Sequence, residues 1–111
     1  MSLTGLHLTA IGSGRFLLEP GVGLDISQKN ELIDRILGRL QQGGACLMYY
    51  HLGGQPVIEE AYYDWLDTLA RACTAINVRM VCVHMQPTAA FALSHILKAP
   101  PAFDSALSVD L

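Results

Sequence analysis

The hydrophobic pattern begins with two short segments of strand character. Apolar and polar residues alternate over residues 6–11, and an apolar run follows at residues 16–18. The turn residues 12–14 (GSG) separate the two segments, so the pattern predicts an antiparallel hairpin. Residues 20–23 (PGVG) then interrupt the chain before the first helix.

The first helix is predicted from a capping residue, an apolar stripe and a stop signal. Asp25 or Ser27 can accept hydrogen bonds from the N–H groups of its first turn. Gly43 and Gly44 end it, because glycine adopts the left-handed C-cap conformation without a steric penalty. The apolar residues at helical spacing are Leu32, Ile33, Ile36, Leu37 and Leu40.

Two further helices are predicted in the second half of the chain. One extends from about Val57 or Glu59 to Ile76, and the other begins near Pro87 and continues to about Leu97. Proline suits a first helical turn, because its missing N–H would be unpaired there in any case. The apolar stripe of the longer helix is Tyr62, Trp65, Leu66, Leu69, Ala70 and Cys73.

The strands between these helices are apolar along their whole length. Residues 45–50 and 79–84 are typical of strands buried on both faces, and a last short strand is expected at residues 106–111. The order is then ββαβαβαβ, and its alternating part predicts parallel strands joined by right-handed helical crossovers. We therefore expect one α/β domain over residues 1–111, with helices that cover the sheet.

Composition and charge limit the classes of function that the chain can have. About half of the 111 residues are hydrophobic and 15% are charged, which is typical of a globular chain. The net charge of −3 argues against a nucleic-acid partner, which usually requires a basic surface. No apolar run approaches the roughly 18–20 residues that span a bilayer, and the N-terminus lacks the pattern of a signal peptide. We expect a cytoplasmic protein without direct membrane insertion.

The cysteines and histidines give little support for a metal or catalytic site. Cys46, Cys73 and Cys82 are isolated among apolar residues, so reduced core thiols are expected. His51 and His84 both fall where a parallel strand ends, which is where open α/β sheets bind ligands. Because no carboxylate or cysteine lies at ligand spacing beside either histidine, no metal site and no catalytic pair are predicted.

The glycine and serine residues also lack the patterns of an enzyme. None of the three glycine groups shows a phosphate-binding pattern between a strand and a helix, and turn positions account for them. Ser94 and Ser105 lack a partnered base. We expect a protein without catalytic activity and without a cofactor.

The most informative segment is the loop of residues 51–56 and the start of the helix that follows. Glu59 and Glu60 fall in the first turn, where each acid stabilises the helix dipole by about 0.3–1 kcal/mol, which alone would justify their presence. Aromatic residues near this turn that face outward would serve as anchors in a protein interface. The predicted partner-binding residues are His51, Gly53, Gly54, Glu59, Glu60, Tyr62 and Tyr63.

The order of the elements and several short motifs resemble those of one known family. Residues 81–87 (VCVHMQP), 88–93 (TAAFAL) and 103–110 (FDSALSVD) are similar to the C-terminal half of STAS domains, the sulfate transporter and anti-sigma factor antagonist family. The likeness is greatest to the stressosome and anti-sigma factor antagonist branch. It implies a STAS-like (SpoIIAA-like) fold, a mixed β-sheet with covering helices.

The resemblance also implies a regulatory position at the start of the second helix. Antagonists of this family carry a phosphorylatable serine or threonine there, and matching the spacing places His51 at the family's loop aspartate, Glu59 at its second aspartate and Glu60 at the phosphoacceptor. Glu60 cannot accept phosphate from a serine kinase. Two interpretations stay open: a domain fixed in a state that resembles the phosphorylated one, or a helix-capping acid in a domain that does not switch.

By this resemblance, the chain is expected to be a non-catalytic regulatory domain in a partner-switching or stressosome-like signalling system. Its expected partners are an anti-sigma factor or switch kinase, or other STAS proteins, with self-association through the hairpin edge as a further expectation. Two alternatives remain: a STAS domain that senses a nucleotide or a lipid, and a cytoplasmic STAS module of a transporter system. A dry cavity between the sheet and the second helix would favour the sensor.

Overall fold

The computed structural model describes residues 2–3 and 5–109 and contains a mixed sheet with three helices. A single 3-10 turn at Ile26–Gln28 precedes the first helix. In chain order the elements are β1 (Ser2–Leu3), β2 (Leu6–Gly12), β3 (Arg15–Pro20), α1 (Lys29–Gln42), β4 (Leu47–His51), α2 (Glu60–Ala75), β5 (Arg79–Val83), α3 (Pro87–Ile96) and β6 (Asp104–Ala106).

The strand order in the sheet is the same as the strand order in the chain, from β1 to β6. Strands β1, β2 and β3 are antiparallel neighbours, whereas β3 to β6 are parallel. The central register places Leu18 beside Tyr50 and Tyr50 beside Cys82. The predicted hairpin and the parallel crossovers are therefore confirmed.

The three helices pack on one face of the sheet. All of their buried residues belong to the main hydrophobic cluster, together with the inward side chains of β2 to β5. A second, smaller cluster lies on the opposite face and contains Tyr49, Val81 and Val83, with Leu17 and Val109 packed against it. Strands β4 and β5 are thus buried on both faces, as their continuous apolar runs predict.

The start of α1 follows the predicted capping pattern. The Asp25 carboxylate accepts hydrogen bonds from the Ser27 hydroxyl at 2.6 Å and from the Ser27 N–H at 3.0 Å, which lowers the pKa of Asp25. The cap begins the 3-10 turn, and α1 continues from Lys29. At the other end, Gly43 lies so close to Phe16 that a Cβ would meet the ring at 2.3 Å.

Helix α2 supplies the largest part of the core. Its residues Trp65, Leu66, Leu69, Ala70 and Cys73 are all fully buried, as the apolar stripe predicts. Tyr62, the first residue of that stripe, is only half-buried. Among the described residues, no helix is long and apolar enough to cross a bilayer.

The last strand differs from the sequence-based expectation. It was expected at residues 106–111, but β6 is Asp104–Ala106, residues 107–109 are not in a strand, and residues 110–111 lie outside the described part. The reason is tertiary: Phe103 is buried in the core just before Asp104, which pairs with Val81 of β5 and forms an exposed ion pair with Arg79 at 2.6 Å. The two-residue strand β1 had no sequence signal at all.

Candidate functional site

The candidate site lies at the carboxyl ends of the parallel strands, as expected from the positions of His51 and His84. His51 is the last residue of β4, and the loop that follows leads to the first turn of α2. Two apolar residues fix this loop at its ends: Leu52 is fully buried and Ile58 is 1% exposed. The segment between them is therefore held against the core at both ends.

Hydrogen bonds from the next crossover hold the middle of the loop. The Gln86 side-chain N–H donates to the Gly53 carbonyl oxygen at 2.6 Å, and the Thr88 hydroxyl donates to the Pro56 carbonyl oxygen. Within the loop, the Gln55 N–H donates to the Leu52 carbonyl oxygen at 3.0 Å. Sequence analysis missed Gln86 and Thr88 as site residues, because nothing in their spacing indicates that they contact a loop more than thirty residues earlier.

His51 accepts a hydrogen bond inside its own loop. The Gly53 N–H donates to Nδ1 of His51 at 3.1 Å, so the neutral ring carries its proton on Nε2. The ring also stacks on His84, with centroids 4.7 Å apart and planes tilted by 35°. His84 itself has a φ of 58°, a left-handed conformation that turns the chain at the end of β5.

Glu59 and Glu60 occupy the start of α2, as predicted. Glu59 is the N-cap residue with extended backbone, and its side chain makes no capping hydrogen bond. Glu60 is the first helical residue, and both side chains are exposed. Within the described residues, the Glu60 carboxylate makes no hydrogen bond or ion pair. It therefore presents a free negative charge at the positive end of the helix dipole.

The aromatic residues near this turn pack mainly toward the interior of the domain. The Tyr50 and Tyr62 hydroxyls are 2.6 Å apart, and the Trp65 indole N–H donates to the Tyr50 hydroxyl at 2.9 Å. We call Tyr50, Tyr62 and Trp65 the aromatic triad. Burial raises the pKa of Tyr50 well above its usual value and also raises the pKa of Tyr62. Tyr63 is half-buried and packs edge-on against Phe103, with centroids 6.2 Å apart.

No cluster of three or more metal-ligating side chains occurs among residues 2–3 and 5–109. A cleft of about 290 Å³ lies at the start of α1. Its lining residues are Gly23, Asp25, Gln28, Glu31, Leu32 and Arg35. The fully buried residues Trp65, Leu66 and Leu69 fill the interface between the sheet and α2, which is where a ligand-sensing domain was expected to have a cavity.

The architecture is similar to two solved structures. One is a variant of RsbS from Moorella thermoacetica in which a serine is replaced by glutamate; the TM-score is 0.73 at 13% identity, over 94% of this chain and 87% of that one. The other is the protein TM1081, solved by NMR, with a TM-score of 0.65 at 13% identity, over 95% of this chain and 83% of that one. No protein-family model matches the sequence, and no curated protein matches it. RsbS is a STAS protein. The present fold is STAS-like.

In this STAS-like domain, the predicted site residues form one continuous segment of surface. We define the loop–helix surface as the loop 51–56 together with the first turn of α2, residues 59–63. The exposed polar side chains of this surface are those of Glu59 and Glu60. Between His51 and these two residues, Gly53 and Gly54 have no side chains that would cover the backbone of the loop. Tyr62 and Tyr63 contribute only the parts of their rings that the core leaves uncovered.

A pair of glycine variants tests the geometry of the STAS-like loop. A Cβ at Gly53 would meet the His51 ring at 2.4 Å, so Gly53→Ala is expected to displace that ring and break its hydrogen bond, at a cost of about 1 kcal/mol. A Cβ at Gly54 meets nothing within 4 Å, so Gly54→Ala is the matched control and is expected to be neutral. Thermal unfolding of both variants measures the difference, and equal midpoints would contradict the described loop.

Proposed function

We propose that this STAS-like chain is a regulatory protein-binding domain without catalytic activity, in a partner-switching or stressosome-like signalling system. In this proposal Glu60 stands where related antagonists carry a phosphorylatable serine or threonine. The observation that carries the proposal is the Glu60 carboxylate, which is exposed and unpaired among the described residues at the first position of α2.

The charge at this position supports a resemblance to a phosphorylated state. Phosphorylation of a serine adds roughly −1.5 to −2 charges at neutral pH, and a glutamate supplies about one negative charge permanently. The helix dipole favours either charge at this end of α2. The similar RsbS structure also carries a glutamate in place of a serine, so that protein adopts this fold with such a substitution.

The loop–helix surface has the chemistry of a protein contact. Loop and helix present two adjacent carboxylates beside exposed backbone, and Val57 is a neighbouring apolar side chain with 52% exposure. Such a surface suits a partner with basic and apolar side chains. The proposed partners are an anti-sigma factor or switch kinase, or other STAS proteins, in the cytoplasm.

The proposal is tested by affinity capture from the source cell's lysate with paired baits. The chain and its Glu60→Ser variant are used side by side, and Asp34→Asn, which removes an exposed carboxylate from α1, is the matched control. We expect capture of a kinase, an anti-sigma factor or STAS proteins, with a change in the captured set for Glu60→Ser and none for Asp34→Asn. Empty capture with all three baits would contradict a protein-binding role.

A change that appeared equally with Asp34→Asn would contradict the special role of Glu60. Identical capture with the unmodified chain and with Glu60→Ser would contradict the phosphorylation-like state while leaving the protein-binding role standing. Circular dichroism of the three baits confirms that each is folded, since all the substituted side chains are exposed and surface changes of this kind alter stability by only about 0.5 kcal/mol.

A further inference from the structure

Three of the four histidines of the chain lie close together, near the carboxyl ends of the parallel strands. His7 lies opposite Glu19 in the antiparallel pair of β2 and β3. The parallel register of β3 and β4 places Leu18 beside Tyr50, and Glu19 and His51 are the next residues of these two strands. The His51 ring stacks on His84. We call His7, Glu19, His51 and His84 the histidine row.

The alternation of side chains places His7, Glu19 and His51 on the face opposite the helices, and His84 joins them through its ring contact with His51. Leu6 and Leu8 belong to the main cluster, so His7 between them projects from the other face. Leu17 and Tyr49 belong to the second cluster, and Glu19 and His51 follow each of them by two positions. His7, Glu19 and His84 are exposed and His51 is half-buried, so the row is accessible to protons from solvent.

The bond between His51 and Gly53 exists only while Nδ1 of His51 is unprotonated. An imidazolium ring has two N–H donors and no acceptor, so it cannot receive the Gly53 N–H. The Gly53 carbonyl is held separately by Gln86 at 2.6 Å. When the bond to His51 is lost, Gly53 keeps only the hydrogen bond from Gln86 to its carbonyl oxygen. Gly53 lies in the loop that leads to Glu59 and Glu60.

The charged and titratable groups that face His51 come from each neighbouring strand. Glu19 lies on β3, next to the Leu18 that pairs with Tyr50, and beyond it on β2 lies His7. On the other side, after β5, the His84 ring stacks on the His51 ring.

We propose that protonation of His51 loosens the loop 51–56 and makes partner binding through the loop–helix surface pH dependent. This regulation rests on the proposed function, because it acts on the same surface. By the resemblance, the family has an aspartate at this position, and aspartate ordinarily stays ionised near neutral pH. With histidine as the acceptor, the loop bond is lost when Nδ1 gains a proton.

The loop switch is tested by NMR on the full chain, without any partner. Protection of the Gly53 amide against hydrogen exchange, corrected for its intrinsic pH dependence, is expected to fall about three- to tenfold between about pH 7.5 and 5.5. His51→Asn keeps an acceptor for the Gly53 N–H but cannot titrate, so its protection should stay constant. His95→Asn removes a histidine on α3 outside the row and should behave as the unmodified chain.

Gly53 protection that stays constant while the His51 ring resonances titrate would overturn the proposal. An equal fall of protection in His51→Asn would overturn it as well. In the second arm, each bait is compared with itself at the two pH values. The ratio of capture at low pH to capture at neutral pH is expected to fall for the unmodified chain and to stay near one for His51→Asn, whatever that variant's affinity at neutral pH, and equal falls would overturn the coupling. Empty capture at neutral pH overturns the proposed function instead, and it leaves the Gly53 result intact, so the two failures are distinguishable.

Discussion

Replacement of Trp65 by alanine is expected to lower the free energy of unfolding by about 3–5 kcal/mol. Trp65 is the single tryptophan of the chain, it is fully buried, and it lies on the face of α2 that packs against the sheet. Truncation removes the packing of the ring and deprives the Tyr50 hydroxyl of its indole donor. Urea unfolding followed by far-UV circular dichroism measures the loss, since the fluorescent residue is absent from the variant.

Two further variants show which part of that loss comes from packing. Tyr50→Phe keeps the ring but leaves the Trp65 N–H and the Tyr62 hydroxyl without their partner, and should cost about 1–3 kcal/mol. Phe91→Ala removes an aromatic ring that is 69% exposed and should change stability by less than about 0.5 kcal/mol. A Trp65→Ala effect as small as that of Phe91→Ala would contradict the described core.

Alkaline pH is expected to destabilise the fold through two buried thiols. Burial raises the pKa of Cys73 from 9.0 to about 12 and also raises the pKa of Cys82. The folded state keeps both thiols neutral, whereas the unfolded chain releases their protons near the ordinary value. The unfolded state then binds fewer protons, so stability falls as pH rises above about 9. Each thiol approaches a slope of about 1.4 kcal/mol per pH unit only when its unfolded form is fully ionised, so the loss for both thiols between about pH 9 and 10 is about 2 kcal/mol.

The measurement is a set of urea unfolding curves at about pH 8, 9 and 10 under reducing conditions. Stability should be nearly constant below about pH 8 and fall above 9, because the thiol contribution is fully present below the unfolded pKa. Cys73→Ala should remove about half of the alkaline slope. Cys46→Ala, which changes an exposed cysteine, should leave the slope unchanged. An unaltered slope in Cys73→Ala would exclude this thiol as the cause.

Much of this architecture could be predicted from the sequence because its elements are strongly patterned. The stripe from Trp65 to Cys73 has helical spacing and fills the core, and the run that contains Tyr49 and Tyr50 is apolar enough to indicate burial on both faces. Glu60 could likewise be placed at the start of α2 from its spacing alone. In each case the local pattern and the tertiary environment agree.

The elements that escaped prediction depend on tertiary contacts. Strand β6 consists of three exposed residues, and its position is stabilised by Asp104 bonding to Arg79, a residue twenty-five positions earlier. An edge strand of this kind carries no periodic apolar signal, whereas the residues after it do. The expectation at residues 106–111 followed that signal and was wrong.

The inner geometry of the site escaped prediction for the same reason. Sequence analysis treated Tyr62 as a possible surface anchor, but its hydroxyl is hydrogen-bonded to Tyr50 on the neighbouring strand. Gln86 lay within a recognised motif, yet its contact with Gly53 exists only when two crossovers are folded side by side. Spacing along a chain predicts which face a side chain occupies, and it does not predict its hydrogen-bond partner.

The sequential order of the strands has a consequence for how the chain folds. Each strand from β2 onward pairs with the strand that precedes it in the chain, so the sheet can grow from one side by adding one unit at a time. Every such step joins strands that follow each other in the chain, and the entropic cost of closing each connection grows only slowly with its length. No strand must enter between two that are already paired. Folding is therefore expected to be faster than for a parallel sheet of the same size in which strands insert out of order, since contacting residues are nearer to each other along the chain.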